Sequence, residues 1–433
     1  MTASKTVLLT DQYELTMIAA ALAGGSAHRN CTFELFARRL PDGRRYGVVA
    51  GTGRLVEQLA EFTFGPDELA LVERFLDPDT LDWLSRYRFS GDIDGYPEGE
   101  LYFPGSPILT VRGTFAEAVV LETLALSIIN HDSAIASAAA RMVTAAGSRP
   151  IIEMGSRRTH EQAAVASARA GYLAGMSATS NLEAARRHGI PSTGTSAHSF
   201  TLLHTTADGP DEKAAFASQI ARLGVGTTLL VDTYDIRQGV ANAIDVAGTE
   251  LGGVRIDSGD LGMLARQVRQ QLDDLGATKT KIVVSGDLDE YAIAALRAEP
   301  VDAYGVGTAL VTGSGSPTAG MVYKLVEVDG IPVAKRASHK ESRGGAKAAL
   351  RTAKPSGTIL EEVVYPTGSA APGLTAPSRP LQIPLIRGGK PVDGLPTLEE
   401  SRQHLAAALV SLPWEGLGLS RGEPAIPTRF ITA

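Results

Sequence analysis

The rhythm of apolar and polar positions changes near residue 113. Upstream the pattern is mixed. Helical spacing starts at Thr10–Met17, where Thr10 or Asp11 suits the cap and Glu14 the first turn. Cys31–Arg38 alternates and predicts a strand, and a helix is expected around Gly53–Glu61. Proline and glycine crowd Gly95–Gly113, which marks turns and a domain crossing. Downstream, Ala116–Ile129 and Ser133–Ala146 read as two alanine-rich helices. Short apolar runs then alternate with helical stretches. The runs are Pro150–Met154, Gly175–Thr179, Ile190–Gly194, Thr227–Asp232, Gly253–Asp257, Lys281–Ser285 and Val301–Gly305. Helices are expected at Thr159–Leu173, Asn181–His188, Asp211–Leu223, Asp235–Val246, Gly262–Leu275 and Leu288–Ala298. Such repeats imply parallel strands joined by right-handed crossovers, and their number favours a (β/α) barrel over an open sheet.

Residues 321–336 (MVYKLVEVDGIPVAKR) read as a hairpin turning at Asp329-Gly330. The tail holds an extended piece at Thr358–Val364 and an amphipathic helix over Leu398–Leu412. The chain is therefore expected to divide into an N-terminal α/β domain (1–112), a barrel carrying the active site (113–345), and a C-terminal segment (346–433) that packs back on the first domain.

Composition narrows the class. The chain has 433 residues, 44% hydrophobic and 21% charged, which is enough for a sizeable core and more than one domain. A net charge of -7 argues against a nucleic-acid partner, which would call for a basic field. It leaves room for an anionic small substrate in a locally positive pocket. The single cysteine, Cys31, suits a reducing cytoplasm. No run reads as a signal peptide, and no stretch of about 18 apolar residues stands out, so no membrane span is expected.

Polar clusters follow most of the expected strands: 153–158, 177–181, 195–198, 255–260, 285–287 and 305–308. In a parallel barrel these positions share the face where active sites form. Gly305 and Gly307 let backbone N–H groups approach a phosphate, and Thr308 adds a hydroxyl. Ser285, Gly286 and Asp287 form a second small loop of the same kind. Each alone is also what a tight turn looks like, and the pair points to one phosphate site. Alternation puts Arg255 and Asp257 on one strand face. Arg255 suits a planar carboxylate, and Asp257 suits ribose hydroxyls or Mg²⁺. Asp260 is placed to cap the next helix. Arg157 and Arg158 are adjacent, and in an extended backbone only one points into a site. His198 follows a run of small hydroxyl-rich residues, a setting for a nucleophile or an acid–base group.

TDQYELTM (10–17), FELFARRLP (33–41), EMGSRR (153–158), GTSAHSF (194–200), GVRIDSGDL (253–261), SGDLDEY (285–291), YGVGT (304–308) and YKLVEVDG (323–330) together resemble the nicotinate phosphoribosyltransferases, in order and in spacing. The resemblance covers the chain to about residue 350. It implies a type II phosphoribosyltransferase fold, an irregular (β/α) barrel plus an N-terminal α/β domain completed by the C-terminal tail. It implies a homodimer with shared active sites. The implied reaction takes nicotinate, phosphoribosyl diphosphate, ATP and water to nicotinate mononucleotide, diphosphate, ADP and phosphate, with Mg²⁺.

Carried onto this sequence, the resemblance makes His198 the residue that ATP phosphorylates. Tyr13 would stack on the pyridine ring from the partner subunit. Thr195, Arg255 and Arg157 would bind nicotinate, with Gly286, Asp287, Gly307 and Thr308 on the phosphoribosyl diphosphate. Nicotinamide-using relatives place an aspartate where Ser180 stands, and a neutral Ser180 would not repel a carboxylate. At Gly344-Gly345 many relatives carry Pro-Gly. The alternatives are a quinolinate or nicotinamide phosphoribosyltransferase on the same fold, and a metabolite-binding regulator without turnover.

Overall fold

The computed structural model describes residues 6–335, 342–369 and 372–431. Arg336, the last residue of the expected hairpin, lies outside them, as do 337–341 of the expected barrel segment. The chain forms two compact units, Met1–Ser137 with Ser316–Ala433, and Ala138–Gly315. These boundaries differ from those read at 112 and 345. The reason is pairing: the strand Met321–Val328 hydrogen-bonds along Asn30–Ala37, so it belongs to the first unit.

That first unit is built on a seven-stranded sheet in which 30–37 is flanked by 321–328 and 109–114. Inward positions Phe33, Leu35, Ile93, Val111 and Tyr323 are buried. The rings of Phe33 and Tyr323 stack 5.0 Å apart. The hairpin turns at Asp329 (φ 48°) and Gly330 (φ 77°), which is the positive-φ pair a two-residue turn needs. Asp329 tolerates this conformation because its carboxylate accepts from Arg29 Nε at 2.8 Å and from the Asn30 N–H at 3.0 Å.

A second sheet in this unit joins Lys347–Ala353 to Ile359–Pro366, with Ser378–Pro380 and Thr428–Phe430 outside them. The expected tail helix is Leu398–Ser411, started by a capping box between Thr397 and Glu400. A buried ionic group lies beneath it: Arg351 bonds Glu100 and Glu362 at 2.5 and 2.6 Å, and Glu100 also takes His404 and Arg379.

Two helices were expected between 116 and 146. Apart from a short turn at Phe115–Val119, one continuous helix runs from Glu122 to Ala146. Two polar residues between the expected helices are satisfied from outside the helix. Asp132 is buried and meets Arg54 at 2.7 Å, and Asn130 Oδ1 accepts the Met321 N–H at 2.8 Å. Residues 115–146 are also long and apolar enough to cross a bilayer, contrary to the sequence expectation. Most of that stretch is buried within the protein, so packing accounts for its apolarity.

The second unit contains a six-stranded parallel sheet in the order 228–230, 253–256, 281–284, 303–306, 151–153 and 178–179. Leu229, Val254, Ile256, Ile282, Val284, Tyr304 and Val306 are buried in it. The seventh expected strand, Ile190–Gly194, is reduced to one bridge between Thr179 and Ser192. Pro191 and the small exposed residues after it offer nothing to pack against a neighbour. The sheet is thus a half-barrel among the described residues. Five helices of this unit share one device: Asn181, Asp211, Asp235, Asp260 and Asp289 each cap a helix by accepting a backbone N–H.

Candidate active site

The carboxyl ends of these strands open into a cavity of ≈ 280 Å³. Its lining includes Arg157, Arg255, Asp257, Gly286, Gly307 and Thr308, and continues through Met154, Arg158, Ser285, Asp287 and Gly305. Nine sequence candidates therefore meet in one place. The volume is close to the lower end of the usual range for small-molecule sites, roughly 300–1,000 Å³.

Two glycines sit tightly here, and the first is favoured by its backbone as well. Gly286 has φ +131°, and a Cβ there would stand 3.2 Å from the Asp257 carbonyl oxygen. A Cβ on Gly305 would come within 2.8 Å of Met154 Sδ and 3.0 Å of Ser285 Cβ. Gly286 in its turn and Gly305 within the strand Ala303–Val306 thus lie close on their neighbours and keep their backbones at the cavity wall. Thr308 opens the short helix Thr308–Val311, with its side chain exposed.

Both arginines of the 153–158 loop line the cavity. The one-in, one-out expectation assumed an extended backbone. The loop instead turns, with the Arg158 N–H bonded to the Gly155 carbonyl at 2.9 Å, so alternation does not apply. Arg255 leaves its Nε buried without a hydrogen-bond partner. Its Nη1 lies 3.4 Å from Thr195 Oγ1, which brings Thr195 to the same group.

Asp257 Oδ1 accepts the hydroxyl of Ser285, and its half-exposed side chain leaves Oδ2 available. That Oδ2 lies 3.9 Å from His198 Nε2. His198 begins the helix His198–Leu203, and its Nδ1 is 3.1 Å from Thr233 Oγ1. The imidazole is held at one nitrogen, and the other faces carboxylates.

One of those carboxylates escaped the sequence reading. Asp232 is buried, its side chain 1% exposed, and its Oδ1 lies 4.0 Å from His198 Nε2 with no hydrogen-bond partner. Its Oδ2 accepts the Asp257 N–H at 2.8 Å and the Ser258 hydroxyl at 2.9 Å. In the sequence it only ended an apolar run. The signal available was an acid at the same strand-end position as Asp257 one unit later.

Ser180 is exposed just past the strand Ala178–Thr179, and it is not part of the cavity lining. Tyr13 belongs to the first unit, on the helix Gln12–Ala23, and is 47% exposed. Burial, with Glu122 and Glu14 close by, pushes its phenol up to about 12.

Phosphate-sized turns, cations for a carboxylate and acids for hydroxyls around one cavity suit group transfer on a phosphorylated sugar, and the fold is that of the type II phosphoribosyltransferases. The comparisons narrow this class. The N-terminal domain model of nicotinate phosphoribosyltransferase matches residues 8–130, and the nicotinate phosphoribosyltransferase family model matches 150–355. Nicotinate phosphoribosyltransferase pncB1 of Mycobacterium tuberculosis (strain ATCC 25618 / H37Rv) is 66% identical over 429 residues, 98% of this chain and 95% of that one. The human nicotinate phosphoribosyltransferase is 31% identical over 479 residues, covering 91% of this chain and 89% of its own. A crystal structure of the human nicotinic acid phosphoribosyltransferase superposes with a TM-score of 0.83 at 27% identity, covering 97% of both chains. A nicotinate-nucleotide pyrophosphorylase from Pyrococcus furiosus gives 0.79 at 25%, covering 94% of this chain and 96% of that one. The chain belongs to the nicotinate phosphoribosyltransferase family of enzymes.

Proposed function

We propose that the enzyme makes nicotinate mononucleotide for NAD salvage by a transfer coupled to ATP through a phosphohistidine at His198. The observation that carries the coupling is the setting of that imidazole. Thr233 holds Nδ1 at 3.1 Å, while Nε2 faces Asp232 and Asp257 at 4.0 and 3.9 Å. A carboxylate near the ring orients it for attack. In the coupling step a ring nitrogen attacks the γ-phosphorus of ATP, the bond to the ADP oxygen breaks, and water later releases phosphate from the histidine. In the transfer step the pyridine nitrogen of nicotinate attacks C1 of the ribose while the C1–O bond to diphosphate breaks. Positive charge grows on the ribose, and carboxylates at the cavity wall are suited to stabilise it.

The turns at 285–287 and 305–308 take the phosphate groups, with Ser285, Gly286, Asp287, Gly305, Gly307 and Thr308 as contacts. Arg255, Thr195, Arg157 and Ser180 take the nicotinate side. The exposure of Tyr13 fits a ring offered to a second copy, in a homodimer with shared sites. The reaction belongs in the cytoplasm, where ATP is supplied and a buried free thiol such as Cys31 stays reduced.

Among the described residues no three His, Cys, Asp or Glu side chains cluster closely enough to hold a metal alone. Mg²⁺ binds through one or two carboxylates plus substrate phosphates. Asp257, with its free Oδ2 at the cavity, would hold it, and Asp287 lines the same wall. When bound, the ion neutralises charge on the leaving diphosphate.

One assay tests the whole reading. The enzyme is given phosphoribosyl diphosphate and Mg²⁺ with nicotinate, nicotinamide or quinolinate, with and without ATP. Mononucleotide from nicotinate, stimulated by ATP, is expected. His198→Ala should lose ATP stimulation and ATP hydrolysis, and labelled ATP should leave acid-labile phosphate on the wild type only. Equal ATP stimulation in His198→Ala would overturn the phosphohistidine.

A further inference from the structure

Glu153 is a buried carboxylate, 1% exposed, at the end of the strand Ile151–Glu153, and the mechanism above gives it no part. It sits in register between two neighbours, Val306 on one side and Thr179 on the other. Its two oxygens are divided between two loops. Oε1 accepts the Gly155 N–H, and Oε2 accepts the Thr179 hydroxyl. Its own carbonyl accepts the Ser180 N–H at 2.9 Å.

The same two loops are tied a second time. Asn181 Nδ2 donates to Ser156 Oγ at 3.0 Å, and the Asn181 N–H donates to Thr179 Oγ1 at 2.9 Å. The loop beyond Gly155 carries Arg157 and Arg158 to the cavity, and the segment beyond Thr179 carries Ser180, which stands exposed outside the cavity lining. Gly155 fits tightly there: a Cβ would come within 2.3 Å of Val311 Cγ1. A small loop displacement would therefore move the arginines.

We infer that Glu153 is a positioning residue for nicotinate, clamping the 154–158 loop to the 179–181 segment so that Arg157 and Ser180 meet the pyridine carboxylate together. This rests on the reading that those two residues serve nicotinate. The ionic state supports a hydrogen-bonding role over a charge role. Burial pushes the Glu153 carboxyl above its usual range, and its Thr179 and Gly155 donors offset that only in part. Both donors are neutral groups, so the clamp does not depend on an ion pair.

The test compares Glu153→Gln, Glu153→Ala and Thr179→Val in the full enzyme, with KM for each substrate, kcat and the melting temperature. A glutamine keeps an acceptor for Gly155 and offers its N–H₂ to the Thr179 oxygen, which has a lone pair to spare. Glu153→Gln is therefore expected within about threefold of wild type in every constant. Glu153→Ala and Thr179→Val should raise the nicotinate KM about ten- to a hundredfold, through loss of alignment. KM for phosphoribosyl diphosphate should stay within about threefold, because the carboxylate bonds Gly155 and Thr179 and neither of the glycine turns.

Equal rises in both KM values, or a fall in melting temperature alone, would overturn the inference. So would a glutamine variant as impaired as the alanine. If Glu153→Ala does not fold, Thr179→Val carries the same test from the other side of the bond. Arg157→Ala separates the two readings. A wild-type nicotinate KM in that variant counts against Arg157 as the carboxylate ligand. A selective loss in Thr179→Val would still uphold the clamp, through Ser180.

Discussion

The buried carboxylate of Asp232 accepts the backbone N–H of Asp257 at 2.8 Å, so the two acids nearest His198 are set by one hydrogen bond. Replacing Asp232 by asparagine turns this contact against itself. Either the amide N–H₂ faces the Asp257 N–H, or the side chain flips and aims it at His198. Asp232→Asn is expected to lose about a hundredfold in ATP-stimulated kcat, the scale of a misplaced catalytic group. Steady-state rates with and without ATP would check this, and a rate within threefold of wild type would refute it.

Selectivity between acid and amide should respond at Ser180. Its side chain is exposed and carries no charge against a pyridine carboxylate. Ser180→Asp would set like charges together, at a cost of several kcal/mol. The ratio of kcat/KM for nicotinate over nicotinamide is expected to fall at least about tenfold. An unchanged ratio would remove Ser180 from the nicotinate pocket.

Stability should carry a pH signature from Glu14. Its Oε2 is buried without a partner, and burial pushes the carboxyl up to about 7 despite the donors of Thr123. The folded chain thus holds a proton that the unfolded chain, near 4.5, releases. This contribution is complete below about 4.5 and is lost as pH rises through about 7. Glu14→Gln should therefore narrow the drop in melting temperature between pH 5 and pH 8. The same drop in both proteins would rule it out.

Arg351 answers two buried acids at once, Glu100 and Glu362. Arg351→Met would leave Glu362 without a cation, while Glu100 keeps Arg379 and His404, at about 3–5 kcal/mol by the usual cost of breaking a buried pair. Denaturant titration should show the loss. Adding Glu362→Gln to that variant should recover part of it, because the acid left without a cation is then neutral.

Much of the site was legible because it is local. The glycines of 285–287 and 305–308 announce a close backbone, and Asp260, read as a cap, does cap the helix that follows it. What failed was what depends on distant partners. Asp232 matters through His198 and Asp257, which are brought to it by the sheet and not by the spacing of the chain. The helix 122–146 runs through His131 and Asp132 because Arg54 neutralises the acid from elsewhere. The hairpin at 321–332 was visible as a hairpin, but nothing in its own residues says that its partner is the strand at 30–37. The seventh strand failed for another reason: a run of small residues has β-compatible spacing with no side chains to anchor it.

That long-range pairing has a consequence for how the chain is made. The strand Asn30–Ala37 leaves the ribosome early, but its neighbour Met321–Val328 follows about 280 residues later. At about 5–20 residues per second, that edge waits roughly 15–60 s for its partner. A segment translated early thus waits for most of the chain before its second edge is paired. Throughout that interval the nascent polypeptide carries an open, apolar-backed edge that a chaperone, or another growing chain, can reach before its own strand does.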